Sequence, residues 1–273
     1  MPTPFLRWAG GKSWLARRIH NNIVTLPKFA NYHEPFLGGG AIYFSIDPPK
    51  SVFLSDLNQE LINTYIAIRD YPYEVINILK NYKNTESFYY SIRASYPTEL
   101  VEQAARFIYL NHTSFNGIYR VNKNGVYNVP YGYRRKNFLN EMILLEASQY
   151  LQNTHINYGD FEIVKKNLKP NDLVFLDPPY TVSHLDNENG FIKYNQQLFS
   201  LADQLRLKNL INFIRENNAF YILTNTAHET IKNIFYNDED RMIEVCRASL
   251  VGGENAHRGQ VSEYIFTNIQ EAH

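Results

Sequence analysis

A single cysteine, Cys246, stands in the chain of 273 residues. It excludes a disulfide framework and suits a reducing cytoplasm. No apolar run approaches the ~20 residues needed to span a bilayer. The N-terminus lacks a charged region followed by a long apolar core, so neither a membrane span nor a signal peptide is expected. Net charge is missing too. The 27 Lys and Arg balance the 27 Asp and Glu, so no overall positive field advertises a nucleic-acid binder. Acids, however, are missing locally. Between Met1 and His33 stand Arg7, Lys12, Arg17, Arg18 and Lys28 with no acid among them. Between Gln103 and Asn140 stand Arg106, Arg120, Lys123, Arg134, Arg135 and Lys136, again with none. The chain carries 21 tyrosines and 17 phenylalanines. Basic stretches interleaved with aromatics suit phosphate contact and base stacking; solvated surface is the plain alternative. With 44% hydrophobic residues the chain can bury a sizeable core, as one large domain or two small ones.

What is present centres on Leu176-Asp177-Pro178-Pro179-Tyr180. It follows Leu173-Val174-Phe175-Leu176, an apolar run that reads as a buried strand. Open α/β sheets bind ligands at the carboxyl ends of their strands. The two prolines have fixed φ and no N–H, so the turn is stiff and its carbonyls are unpaired. A carboxylate and a free carbonyl together can accept both hydrogens of an amino group. Tyr180 offers a face for a planar base. The combination fits an exocyclic amine on an aromatic ring. Asp-Pro and Pro-Pro are also common turn signals, so the rest of the chain has to decide.

Arg7-Trp8-Ala9-Gly10-Gly11-Lys12 comes first, with a helical pattern from Ser13. Two glycines before a helix let a polar ligand approach the backbone; a plain helix entry reads equally well. Tyr32-His33-Glu34-Pro35-Phe36, Leu37-Gly38-Gly39-Gly40 and Ala41-Ile42-Tyr43-Phe44 read as strand, glycine loop and helix, the first βα unit of a nucleotide-type sheet. The next strand, Ser51 to Ser55, ends at Asp56. That acid lies close to the ~20-residue spacing at which a carboxylate meets ribose hydroxyls. A helix cap is the alternative. From Asn58 to about Ser114 the pattern is helical, without an αβ rhythm, and reads as an inserted subdomain. Asn122-Lys123-Asn124-Gly125, between Phe115–Val121 and Val126–Val129, is a strong hairpin signal. A basic hairpin can enter a groove, with arginine reading guanine and an aromatic wedging between bases.

Phe138 to Leu151 is helical. Ile156-Asn157-Tyr158 is a short strand ending at Gly159-Asp160-Phe161, where an acid and an aromatic can bind a purine or cap a helix. Gln196 to Asn217 is an amphipathic helix. Ala219 to Leu223 and Val261 to Thr267 are strands, and Arg247 to Gly259 reads as a polar loop.

These stretches, in this order from about Phe5 to Asn268, resemble a Dam-type (D12 class, alpha group) DNA adenine N6-methyltransferase. The resemblance rests on Trp8-Ala9-Gly10-Gly11-Lys12, Glu34-Pro35-Phe36-Leu37-Gly38-Gly39-Gly40, Asp177 to Tyr180, and Leu110-Asn111 through Asn128-Val129-Pro130-Tyr131-Gly132. It implies S-adenosylmethionine as methyl donor and double-stranded DNA as partner, with no metal. Trp8, Ala9, Gly10, Lys12, Phe36 and Gly38 would surround the donor, Asp56 hold its ribose, Asp160 and Phe161 its adenine, and Asp177 would border it. Asp177, Pro178, Pro179 and Tyr180 would form the catalytic turn, Tyr180 stacking on a flipped-out adenine. Arg7, Phe115, Asn116, Arg120, Lys123, Tyr133 and Arg134 would meet DNA. GATC is the target many relatives share. Arg7 departs from the family's usual lysine, and Tyr133-Arg134-Arg135 from its usual residue order.

The expected fold is α/β, a Rossmann-like S-adenosylmethionine-dependent methyltransferase sheet with an inserted helical and hairpin DNA-recognition subdomain. Residues 1–57 and 138–273 would form the catalytic domain and 58–137 the recognition domain. A restriction endonuclease acting on the same site is a candidate partner. The rivals are amino-methylation of RNA adenine or protein glutamine, and a DNA-binding module without catalysis.

Overall fold

The structure is a computed structural model that describes residues 1–20, 24–47, 49–122, 124–134, 136–180, 199–248 and 260–270. Its strands are β1 (Tyr32–Glu34), β2 (Val52–Asp56), β3 (Thr154–Tyr158), β4 (Leu173–Leu176), β5 (Phe220–Thr226), β6 (Arg241–Ala248) and β7 (Gln260–Thr267). They form one mostly parallel, seven-stranded sheet ordered β3-β2-β1-β4-β5-β7-β6. The chain divides into two compact units: Met1–Asn21 with Leu37–Asp160, and Asn22–Phe36 with Phe161–His273.

In the first unit β2 and β3 run parallel, from Val52 opposite Thr154 to Asp56 opposite Tyr158. Helix α1 (Ser13–His20) opens it. Helices α2 (Gln59–Asp70), α3 (Pro72–Lys80), α4 (Glu86–Ala94), α5 (Leu100–Thr113) and α6 (Glu141–Leu151) follow. Three of these starts have a local cause. The Asn58 side chain accepts the Leu61 amide at the head of α2, and Asn140 does the same for Ile143 at α6. Pro72 stands in the first turn of α3, where its missing N–H costs nothing. Leu61, Ile62, Tyr65 and Ile68 recur at helical spacing and are all buried.

In the second unit β1, β4 and β5 are parallel, with Tyr32 opposite Leu173 and Leu176 opposite Leu223. Every residue of β4 is buried, as an apolar run without alternation requires of an interior parallel strand. Strand β7 pairs antiparallel with β5, and β6 with β7. Helix α7 (Leu201–Glu216) begins with a reciprocal capping box between Ser200 and Asp203. Helix α8 (Glu229–Phe235) follows β5.

Three local readings differ from expectation. Ala41–Phe44 does not open a helix; a single 3-10 turn, Tyr43–Ser45, stands there. Pro48 and Pro49 lack amide hydrogens, and the residue before a proline is pushed out of the α region. No element was expected at Arg241–Ala248 or Glu229–Phe235, which form β6 and α8. Arg241, Glu244 and Arg247 break the apolar alternation that would mark a strand, and α8 is only 7 residues long. Arg247 and Ala248, assigned to a polar loop, end β6; residues 249–259 lie outside the described ones, as do Gln196, Gln197 and Leu198 of the expected long helix.

Candidate functional site

In the first unit the glycine loop is held by an acid at the end of β2. Asp56 Oδ2 accepts the Gly38 amide at 3.0 Å and Oδ1 accepts the Asn58 amide at 2.9 Å. Asn58, not Asp56, caps α2. Burial pushes the Asp56 carboxyl above its ordinary value, against the opposing pull of the Gly38, Asn58 and Leu57 amides. Gly38 has φ +47°, and a Cβ there would lie 2.8 Å from Trp8 Cδ1 and Nε1. Only glycine lets the loop pass the indole so closely. The Trp8 ring also stacks on Tyr119, centroids 5.8 Å apart. Lys12 is buried, and its Nζ donates to the Gly10 carbonyl at 3.0 Å; Ala9 and Gly10 are exposed. Asp160 follows β3 one residue after Gly159, whose amide donates to the Asp56 carbonyl at 3.1 Å. The two acids therefore stand at neighbouring strand ends.

The same unit carries the arm read as a hairpin. It has a hairpin's turn without regular strands. Val121 and Tyr127 form an isolated bridge. The Asn122 amide donates to the Val126 carbonyl at 2.8 Å, and the Gly125 amide to the Asn122 carbonyl at 2.9 Å. Phe115 is 53% exposed at the arm's base, and Asn116 takes φ 57°. Arg120 is exposed, with Nε donating to Asn128 Oδ1 at 2.9 Å. Tyr133 is 69% exposed and its hydroxyl donates to Glu86 at 2.7 Å; Asn84 Nδ2 donates to the Arg134 carbonyl at 2.7 Å. Lys123 lies outside the described residues.

Arg7 is clamped by Asn111, which accepts its amide at 2.8 Å and donates to its carbonyl at 2.7 Å. Its side chain runs so close to Gly117 that a Cβ there would sit 3.0 Å from Cδ, Nε and Cζ. Arg7 Nη1 is buried with no hydrogen-bond partner among the described residues. Arg106, counted in the basic stretch, is structural. It is buried, donates to the carbonyls of Ile92 and Arg93, and pairs with Glu60 at 3.2 Å. Glu60 in turn accepts the Tyr119 hydroxyl at 3.0 Å.

In the second unit Asp177 stands at the carboxyl end of β4. Its Oδ1 accepts the Thr224 hydroxyl of β5 at 2.8 Å. The Tyr180 hydroxyl donates to Glu263 Oε2 of β7 at 2.6 Å. Pro178 is buried between them in sequence; Asp177, Pro179 and Tyr180 are partly open. Phe36 stacks on Phe161 with centroids 5.4 Å apart and meets Phe199 edge-on at 5.7 Å. The Phe161 ring is buried in this core, with the Arg206 guanidinium 4.8 Å from its centroid.

The pattern that defines the D12 class of N6 adenine-specific DNA methyltransferases matches residues 8–247. The chain belongs to that class. Curated relatives agree. It is 34% identical to the Type II methyltransferase M1.LlaDCHI of Lactococcus lactis subsp. cremoris over 97% of this chain and 95% of that one. It is 34% identical to the Type II methyltransferase M.MjaIII of Methanocaldococcus jannaschii over 82% and 84%. The DNA adenine methylase of Haemophilus influenzae is 29% identical over 86% and 82%.

This D12 methyltransferase therefore acts on DNA and methylates adenine at N6, and the methyl has to come from a bound donor. The structure brings Trp8, Gly38 and Asp56 together in one unit, and Phe36 with Phe161 in the other. Sequence reasoning missed Thr224 and Glu263 of the methyltransferase. Thr224 ends an apolar strand run, and Glu263 sits in a strand where an acid gives no signal of its own.

Proposed function

We propose that this D12 methyltransferase moves the methyl of S-adenosylmethionine to N6 of an adenine turned out of double-stranded DNA. Asp177 at the end of β4 carries the reading: a partly open carboxylate, oriented by Thr224, followed by the rigid Pro178-Pro179 and the Tyr180 ring. Asp177 and the Pro178 carbonyl accept the two amino hydrogens of the adenine. Those bonds turn the nitrogen lone pair out of ring conjugation. Tyr180 supplies the stacking face that replaces the neighbouring bases. Positioning and electrostatics account for the rate, and no strongly shifted base is needed.

The residues fit the proposed donor. S-adenosylmethionine brings an electrophilic methyl on a sulfonium, an adenine and a ribose with two hydroxyls. Asp56 is a partly open acid beside a glycine loop whose amide it already orients, which suits the ribose. In this reading Trp8, Ala9, Gly10, Lys12, Gly38 and Asp160 serve the donor from the first unit, and Phe36, Phe161 and Asp177 from the second.

Recognition belongs to residues 58–137 together with Arg7, within a catalytic frame of 1–57 and 138–273. Arg7 Nη1, buried and without a partner among the described residues, is a donor awaiting an acceptor such as guanine O6 or N7. Exposed Phe115 is the wedge, with Asn116 and Arg120 reading bases and Lys123, Tyr133 and Arg134 on the backbone. GATC is the proposed target, and a restriction endonuclease of the same specificity the proposed companion in a cytoplasmic setting. The test combines unmethylated plasmid, labelled S-adenosylmethionine, mapping of modified bases and the variant Asp177→Ala. The expected result is N6-methyladenine confined to GATC in the wild type, and in the variant DNA binding without transfer. Transfer persisting in Asp177→Ala would remove the role given to Asp177.

A further inference from the structure

We infer that Thr224 and Glu263 are positioning residues of the methyl-acceptor site, each fixing one end of the Asp177–Tyr180 turn from a neighbouring strand. The inference rests on the function proposed above and extends it to two residues no sequence motif marks. β4 and β5 are parallel with Leu176 opposite Leu223. One step further along, Asp177 comes beside Thr224, and the hydroxyl donates to Oδ1 at 2.8 Å. Across the antiparallel pair, Thr226 lies opposite Glu263 and Thr224 opposite Ile265. Residues two apart share a face, and so do directly opposed ones. Thr224, Thr226 and Glu263 therefore project to the same side of the sheet, and all three are buried.

Each contact removes a freedom the chemistry cannot tolerate. An aspartate's terminal torsion is broad and two-fold. With Oδ1 bound to the Thr224 hydroxyl, the carboxylate plane is set before the substrate arrives, and its acceptor direction is fixed with it. The Tyr180 ring likewise turns about its own bonds. Its hydroxyl is held at 2.6 Å by a carboxylate that is itself 0% exposed, a short charge-assisted hydrogen bond. A buried carboxylate needs donors to be kept there, and the Tyr180 hydroxyl is one that Glu263 has. What it provides is a ring anchored at both ends: by the turn at its Cβ and by Glu263 at its oxygen. The stacking platform is thus pre-formed, and the methyl acceptor meets a plane and a carboxylate already in register.

The experiment uses the full chain, a duplex with 2-aminopurine at the target adenine, and single-turnover methylation of the unmodified duplex. Thr224→Val keeps the shape and loses the hydroxyl. Misplacement of a catalytic group by about 1 Å can cost about a hundredfold in rate. The expected result is a single-turnover rate lowered at least tenfold at unchanged DNA affinity and donor KM, restored by Thr224→Ser. Tyr180→Phe keeps the ring and removes the link to Glu263. Its expected effect is an altered 2-aminopurine signal at unchanged DNA affinity. Glu263→Gln, which still accepts from the phenol, retains the wild-type signal, and Glu263→Leu reproduces Tyr180→Phe. The double variant Tyr180→Phe/Glu263→Leu is then no worse than either single one. If Glu263→Leu does not fold, Tyr180→Phe against Glu263→Gln carries the comparison. A wild-type rate in Thr224→Val, or an unaltered signal in Tyr180→Phe, overturns the inference. Asp177→Ala separates the two levels. If it is inactive while Thr224→Val is fast, only the positioning roles fall; if it is active, the proposed function falls first.

Discussion

Asp56 Oδ2 accepts the amide hydrogen of Gly38 at 3.0 Å across 18 residues of chain. The end of β2 thereby sets the shape of the glycine loop. The same loop passes the Trp8 indole at a distance no side chain would permit. An acid, a glycine and an aromatic from three separate stretches are interlocked, and a change at one reaches the others.

Gly38→Ala tests the interlock directly. The new methyl would sit 2.8 Å from the indole, at φ +47°. Left-handed strain and the displaced tryptophan together are expected to cost about 1–3 kcal/mol of stability. Donor affinity should fall at least tenfold. Calorimetric titration with S-adenosylmethionine, alongside a thermal melt, measures both. Wild-type affinity in this variant would detach the loop from the donor site.

Asp56 also leaves a pH signature. Burial raises its folded-state value above the ordinary 3.8. A raised carboxyl favours folding most where it is protonated, below 3.8, and that contribution is lost as pH rises through the folded value. The stability difference between wild type and Asp56→Asn is therefore expected to move against the wild type as pH rises above 3.8. Urea unfolding at a series of pH values upward from 3.8 reads that slope. A flat difference would contradict it.

Asp172 has the opposite sign. Burial by itself would raise it, but hydrogen bonds from His33, the Lys169 amide and Asn31 outweigh burial and hold it below 3.8. It accepts His33 Nε2 at 2.9 Å, the Lys169 amide at 2.9 Å, and Asn31 through Nδ2 at 2.8 Å and its amide at 3.1 Å. Its stabilisation is complete above 3.8 and is lost as pH falls through the lowered folded value. Asp172→Ala strands buried donors and is expected to cost about 3 kcal/mol or more at neutral pH. Denaturant melts at neutral and acid pH check it; the gap between variant and wild type should narrow in acid.

Arg120 is exposed and oriented by Asn128. Arg120→Ala is expected to cost about 1–3 kcal/mol at the cognate site and to relax sequence choice. Competition binding against a panel of single-base variants of the methylated site, once mapped, decides this. Equal weakening on every sequence would make Arg120 a phosphate contact.

Much of this protein was written locally. An apolar run of four, fully buried as β4, placed Asp177 at a strand's carboxyl end. The helical patterns from Asn58 and across Phe138–Leu151 are matched by α2 and α6, each started by an asparagine cap that depends on a residue three positions on. The Asn-Gly turn held although no regular strands flank it. Such features are legible because burial period, capping and turn conformation depend on residues a few positions apart. The tertiary structure decided the rest. Thr224 is 47 residues from Asp177, and Glu263 is 83 from Tyr180. Nothing in the pattern of either strand says which neighbour it will have. Arg106 looked like a phosphate contact and is buried on Glu60 instead. Strand order and side-chain partnership follow from how the sheet assembles, and that assembly depends on the packing of whole elements, which no short window of sequence contains.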